Sequence, residues 1–189
     1  MAKVTKMNKA AERVAVIAVV SLAVAAAVAQ RVSREAPPTA TSTGVLAPAG
    51  EPGPRLVVSG VVVAADGSVV PGASIYAYQT DAEGYYGVKP VSDSSNPRLK
   101  VLLRSGAKGD WSFETIRPGS YPASRAPGHI HFEVAAAGFA PRVFEIVFEG
   151  DPFVTADMRR NPVFSVRSID PPAKPGAPGR VTERIVLSR

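Results

Sequence analysis

The chain predicts an all-β domain, an antiparallel β-sandwich, and three observations carry that expectation. Apolar residues recur with a period of two in short runs, most cleanly in Trp111-Ser112-Phe113-Glu114-Thr115-Ile116, the mark of a half-buried strand. Turn-forming pairs (Asp66-Gly67, Gly109-Asp110, Pro118-Gly119) punctuate these runs at close spacing. No amphipathic helical period follows residue 31. Many short strands with frequent turns are the pattern of a sandwich.

The elements follow in order. Lys3, Lys6, Lys9 and Arg13 precede an apolar run, Val14 to Ala29, interrupted only by Ser21. A basic start, an apolar stretch and the small residues Ala27-Val28-Ala29 make an export signal. The run is slightly shorter than the roughly 20 residues of a full membrane span, so residues 1–30 read as a cleaved signal peptide or as a retained N-terminal anchor. Both place the body of the protein outside the cytoplasm: secreted, periplasmic or held at the outer face of the membrane. Residues 31–55 are rich in Pro, Ala, Thr, Ser and Gly. They offer too little apolar surface to offset ordering entropy and read as a disordered linker.

Folded sequence is expected over residues 56–189. The β-branched run Val57 to Val63 opens it, and Ile75, Ala77 and Gln79 then alternate with Tyr76 and Tyr78. Further strands are expected over Trp111–Ile116, Ile130–Ala135, Arg142–Phe148 and Val181–Leu187. Pro90 to Arg98 is a polar loop of the kind that walls a pocket. Pro162 to Gly179, with Pro171-Pro172, reads as an extended connection, because proline is excluded from central strands.

The bulk numbers narrow the function classes. There is no cysteine among the 189 residues, so disulfides, thiolate metal sites and cysteine nucleophiles are excluded. The net charge is +6, but half of it lies in the first thirteen residues and the rest forms no stripe. A nucleic-acid partner is therefore not expected.

The chemistry concentrates around His129-Ile130-His131, the only two histidines in the chain. On a strand, residues i and i+2 share a face, so two imidazoles project together about 7 Å apart along the strand. Such a pair suits a transition metal, although a locally hydrogen-bonded pair fits the same spacing.

The order of motifs resembles that of the intradiol ring-cleavage dioxygenases, non-haem iron(III) enzymes that open catechols between their hydroxyls. Gly60-x-Val62, Asp66-Gly67 and Pro71-Gly72-Ala73 are similar to the family's opening strand pair. Tyr78-Gln79-Thr80-Asp81 with Gly84-Tyr85-Tyr86 comes next, then Gly109-Asp110-Trp111-Ser112-Phe113 and Pro118-Gly119-Ser120-Tyr121-Pro122. The histidine pair and Phe148-Glu149-Gly150-Asp151-Pro152 complete the series. The opening block also occurs in non-enzymatic prealbumin-like sandwiches, and the His-x-His with Gly-x-Tyr upstream gives the enzyme reading its specificity.

The resemblance implies a short, exported, prealbumin-like sandwich that binds Fe(III) through Tyr86, Tyr121, His129 and His131. It would use O2 to open a catecholic substrate to a muconate-type diacid. It also implies that Tyr121 is displaced by substrate and acts as a base, and that Arg125 stabilises negative charge on the substrate. Tyr85 lies next to the tyrosine selected by the Gly-x-Tyr spacing and is expected to pack or to line the pocket. Three departures stand out. Arg125 is offset by one residue, Tyr78 replaces a tryptophan, and Glu145 stands where many members carry glutamine. A carboxylate there would either repel a catecholate or, with a burial-raised pKa, donate a hydrogen bond. Two other readings remain open at this level: a non-catalytic binding module of the cell envelope, and a member that keeps the metal without turnover.

Overall fold

The computed structural model describes residues 34–189; the expected signal or anchor segment, residues 1–30, lies outside the described residues. Among the described residues the fold is all-β, with nine strands and one 3-10 turn, Met158–Arg160. The strands are β1 (Thr43–Val45), β2 (Arg55–Ala64), β3 (Ser74–Gln79), β4 (Leu99–Arg104), β5 (Asp110–Ile116), β6 (His129–Ala135), β7 (Arg142–Phe148), β8 (Phe164–Arg167) and β9 (Gly179–Leu187). They form a four-stranded sheet, β1-β5-β2-β9, and a five-stranded sheet, β4-β3-β6-β7-β8. No helix among the described residues is long and apolar enough to cross a membrane.

Alternation builds the interior between the sheets. Val58 and Val62 of β2 and Phe113 of β5 face Ile75 of β3, Phe132 of β6 and Phe144 of β7, all buried. Trp111, Phe113, Phe132 and Phe144 form a continuous aromatic stack across the interior, with successive ring centroids 4.9–6.0 Å apart. Geometry of this kind adds to the area such rings bury. On β6, Ile130, Phe132 and Val134 point inward, so His129, His131 and Glu133 occupy the opposite face.

The sheets are mixed rather than antiparallel, which corrects the sequence expectation. β1–β5, β2–β9 and β7–β8 are parallel pairs. Parallel neighbours need long connections, and the proline-rich stretch before β9 and the 149–163 segment before β8 supply them. The expected 162–179 connection contains β8 itself, paired with β7 through Glu145↔Phe164 to Phe148↔Arg167.

The stretch expected to be a disordered linker is built into the domain from Ala36 onward. It supplies β1, whose neighbours Leu46 and Ala47 are buried in the core. Its backbone is tied down by Ala36 N donating to Ser74 Oγ (2.7 Å) and by Arg104 donating to Ala36 O (2.6 Å). A few small apolar residues and edge hydrogen bonds order a segment whose composition alone argues against it.

On the β8–β9 flank, Glu183 is 1% exposed. Its carboxylate accepts hydrogen bonds from Ser165 Oγ (2.5 Å), Arg167 Nε (2.7 Å) and Arg167 Nη2 (3.1 Å). This cluster joins the two sheets.

Candidate metal centre

Two loops roof the outer face of β6, and their backbones meet where glycine is required. A Cβ on Gly84 would lie 1.9 Å from Ser120 O, one on Gly119 2.3 Å from Ala82 O, and one on Gly128 2.4 Å from Pro118 O. Gly84 also has φ +89°, a left-handed value that glycine adopts without strain. Polar contacts lock the approach: Gly119 N donates to Asp81 O (2.8 Å) and Thr80 Oγ1 donates to Gly119 O (2.9 Å). Below them, the buried Gln79 amide donates to Ile116 O (3.0 Å) and accepts from Thr115 Oγ1 (2.8 Å).

The first loop aims Tyr86. Asp81 Oδ1 accepts from the backbone N–H groups of Glu83 and Tyr85, each at 3.0 Å. Arg98 N donates to Tyr86 O (2.7 Å), and the Arg98 guanidinium makes a two-pronged ion pair with Glu51 (2.5 and 2.7 Å). The second loop carries Tyr121 into a turn closed by Ser124 N donating to Tyr121 O (3.1 Å). Pro122 and Ala123 (φ +57°) are its central residues, the pattern of a type II turn, which favours glycine at the second position. Asp151 accepts from Gly128 N (3.1 Å) and Phe153 N (3.0 Å), fixing the backbone just before His129.

Four side chains converge as a result. Tyr86 Oη lies 2.5 Å from Tyr121 Oη and 2.7 Å from His131 Nε2. Tyr121 Oη lies 2.9 Å from His129 Nε2 and 3.5 Å from His131 Nε2, and the two Nε2 atoms are 3.0 Å apart. The far sides of the imidazoles fix their tautomers. His129 Nδ1–H donates to Pro127 O (2.7 Å), and His131 Nδ1 faces Glu145 Oε1 at 3.2 Å. Each Nε2 is then a bare lone pair. Only the two phenol protons remain to serve five contacts, so at least three of these contacts set lone pair against lone pair. A cation drawn into the middle resolves that repulsion, and the donor set fits one.

The proton affinities agree. Burial, and then the hydrogen bond and charge of Tyr121, push the Tyr86 phenol far above its ordinary value. Burial also raises Tyr121, partly offset by its hydrogen bond to Tyr86. Burial holds His129 below the usual histidine range, in its neutral, ligating form. A bound metal ion reverses the logic for the phenols, because it stabilises the anion.

A row across three strands supports His131. It pairs with Tyr78 on β3 and with Glu145 on β7. The Tyr78 ring stacks on the imidazole, centroids 4.4 Å apart and planes 13° apart. Glu145 is close enough to be grouped with the two histidines as a metal cluster, but it faces Nδ1, the side of the ring away from the other donors. Burial raises its pKa, and the His131 hydrogen bond with the two imidazoles more than offsets this, so the net shift is downward. Glu145, expected to line the substrate pocket, sets its carboxylate against Nδ1 of His131 at 3.2 Å, on the far side of that ring from the other donors.

The other expected residues lie outside the cluster. The ring of Tyr85, a half-buried residue, lies against Lys89, whose Nζ is 5.7 Å from the centroid. Arg125 is exposed on the loop before His129. Sequence reading missed Asp81, Asp151, Gly84, Gly119 and Gly128 as the residues that aim the donors. The Gly-x-Tyr, Pro-Gly-x-Tyr and Gly-Asp-Pro motifs contain most of them, as parts of a resemblance without assigned roles.

A family model described as Dioxygenase matches residues 32–171. The chain is 34% identical over 125 residues to hydroxyquinol 1,2-dioxygenase of Nocardioides simplex, covering 58% of this chain and 41% of that protein. It is 35% identical over 120 residues to the protocatechuate 3,4-dioxygenase beta chain of Burkholderia cepacia, covering 57% and 51%. The chain thus spans about half the length of these curated relatives. Among solved structures, catechol 1,2-dioxygenase from Acinetobacter sp. ADP1 superposes with a TM-score of 0.64 at 18% identity, over 79% of this chain and 57% of that one. The dioxygenase domain of a carbohydrate-binding fusion protein from Streptomyces sp. SirexAA-E gives 0.59 at 23%, over 79% and 88%. Fold, motif order and family match agree, and the chain belongs to the intradiol ring-cleavage dioxygenase family.

Proposed function

We propose that this chain holds iron(III) through Tyr86, Tyr121, His129 and His131. With it the protein opens a catecholic ring between its hydroxyls, and both atoms of O2 enter a muconate-type diacid. The observation that supports this reading is the shortage of protons among four converging donors, two of them phenols. Phenolate oxygen is a hard anionic donor suited to a hard trivalent ion. When bound, iron(III) would supply a Lewis acid that chelates the catecholate and draws electron density through it, enabling the ring to meet O2.

The chain's own residues divide the remaining work. Tyr86, 3% exposed and fixed through Arg98, is the permanent anionic donor. Tyr121 is less buried and sits on the turn-bearing loop. With iron bound, Tyr121 would be the donor that substrate displaces, and its Oη would take up one of the two catechol protons as general base. Pro127 O and Glu145 hold the imidazoles in their ligating tautomers. Arg125, exposed four residues ahead of His129, is free to approach negative charge developing on the substrate. The basic and then apolar N-terminus supports an exported location, with residues 1–30 as signal or anchor.

The test is visible absorption and oxygen uptake. Iron(III)-loaded protein is expected to show a phenolate-to-iron charge-transfer band and to consume O2 with a panel of catechols. His129→Ala is expected to lose the band and to cost more than the roughly 10- to 100-fold typical of changes behind a ligand. A metal-replete preparation without visible absorption would overturn the proposal.

A further inference from the structure

We propose that Glu145 is a charged positioning residue for the metal centre: through His131 it strengthens one imidazole donor, and it brings a third negative charge to a pocket that otherwise holds two. This inference rests on the iron(III) reading above and goes beyond it, because it concerns a residue behind one of the four donors rather than the donors themselves.

The two histidines are backed differently. His129 Nδ1 donates to a neutral acceptor, Pro127 O, at 2.7 Å. His131 Nδ1 faces a carboxylate oxygen, Glu145 Oε1, at 3.2 Å. The Glu145 contact is longer than the Pro127 one, and what it adds is charge: a carboxylate behind a ligating imidazole raises its basicity. Register fixes the arrangement: His131 and Glu145 are direct partners across β6 and β7, and Tyr78 stacks on the same imidazole from β3. The ring is thus held from its face and its far edge: stacking on Tyr78 fixes its plane, and a flip that turned Nδ1 away would forfeit the Glu145 contact.

The charge of Glu145 is what makes it consequential. Two phenolates leave a trivalent ion one charge positive, and a neutral side chain in place of Glu145 would keep it so. With Glu145 the local sum reaches zero before any outside ligand arrives. A more electron-rich iron(III) is harder to reduce, and transfer of charge from tyrosinate to it costs more energy.

The experiment compares iron(III)-loaded wild type, Glu145→Gln and Glu145→Leu. Glutamine keeps an acceptor for His131 and removes the charge, whereas leucine removes both. Glu145→Gln is expected to move the visible band to longer wavelength, shift the midpoint potential to a more positive value and weaken iron retention against a chelator by roughly 10- to 100-fold. Glu145→Leu is expected to show the same directions with a further loss of iron, and apo melting temperatures monitor folding. Should the leucine variant fail to fold, the glutamine variant decides alone. A Glu145→Gln protein whose band, potential and iron retention match wild type overturns the inference and leaves the iron reading standing. A wild-type protein that takes no colour overturns the iron reading, and this inference with it.

Discussion

Two clusters of partly buried polar side chains sit on opposite terms with their surroundings. At the β8–β9 flank the Glu183 carboxylate receives three donors at 2.5–3.1 Å, and its charge is matched by Arg167. At the outer face of β6, two phenols and two imidazoles are packed as closely with too few protons between them. The first cluster is complete and the second is not. A protein tolerates a buried polar group when it is partnered, and a set of donors that cannot satisfy one another is suited to a cation.

Variants can break that contrast. The largest effect is expected from Gly84→Ala, which puts a methyl group 1.9 Å from Ser120 O at a left-handed backbone position. The two roof loops must separate, at a cost of about 2–4 kcal/mol, and iron binding should fail with them. Denaturant melts and iron content measure this, and a variant that keeps full iron content would show that the loop contact does not aim the tyrosines.

Next is Glu183→Leu, expected to cost about 2–3 kcal/mol. That is below the ~3–5 of a fully buried pair, because the Arg167 side chain is 41% exposed and can turn to water. Visible absorption and iron content should remain those of wild type. Loss of iron in this variant would abolish the distinction between the two clusters.

The smallest effect concerns the Glu51–Arg98 pair, which braces the Tyr86 loop. The hydrogen bond from Arg98 lowers the Glu51 pKa from 4.5 against the opposing effect of burial. A carboxylate depressed on folding contributes stability that is fully present above its unfolded value and is lost as pH falls through the folded one. Wild type should therefore melt higher than Glu51→Gln at neutral pH, and the gap should close below about pH 4.5. A gap that persists in acid would show that the ion pair is not its source.

Much of this was legible in the chain. The alternation of Trp111 to Ile116 and the inward Ile130 and Phe132 predicted strands where they lie, and the His-x-His spacing placed both imidazoles on one face. The Gly-x-Tyr spacing selected Tyr86 over Tyr85, and the structure brings Tyr86 to the donors. What escaped was non-local. β1 lies in a segment of linker composition and is ordered by pairing with β5, and β8 hides between prolines and is ordered by β7. Strand direction depends on connections that composition does not encode. The position of Glu145 behind His131 follows from the register of two strands, and a list of motifs cannot convey which side of a ring a carboxylate will meet.

The row Tyr78–His131–Glu145 has one residue from each of three strands, and its alignment depends on what lies beneath. Phe132 and Phe144, facing partners stacked 4.9 Å apart in the interior, hold β6 and β7 in step. A slip of one position would bring Phe144 or Ile146 to the back of His131. The colour of the loaded centre would thereby become a gauge of hydrophobic fit on the far side of the sheet, and a spectrometer could detect a misfitted methyl group that no ligand touches.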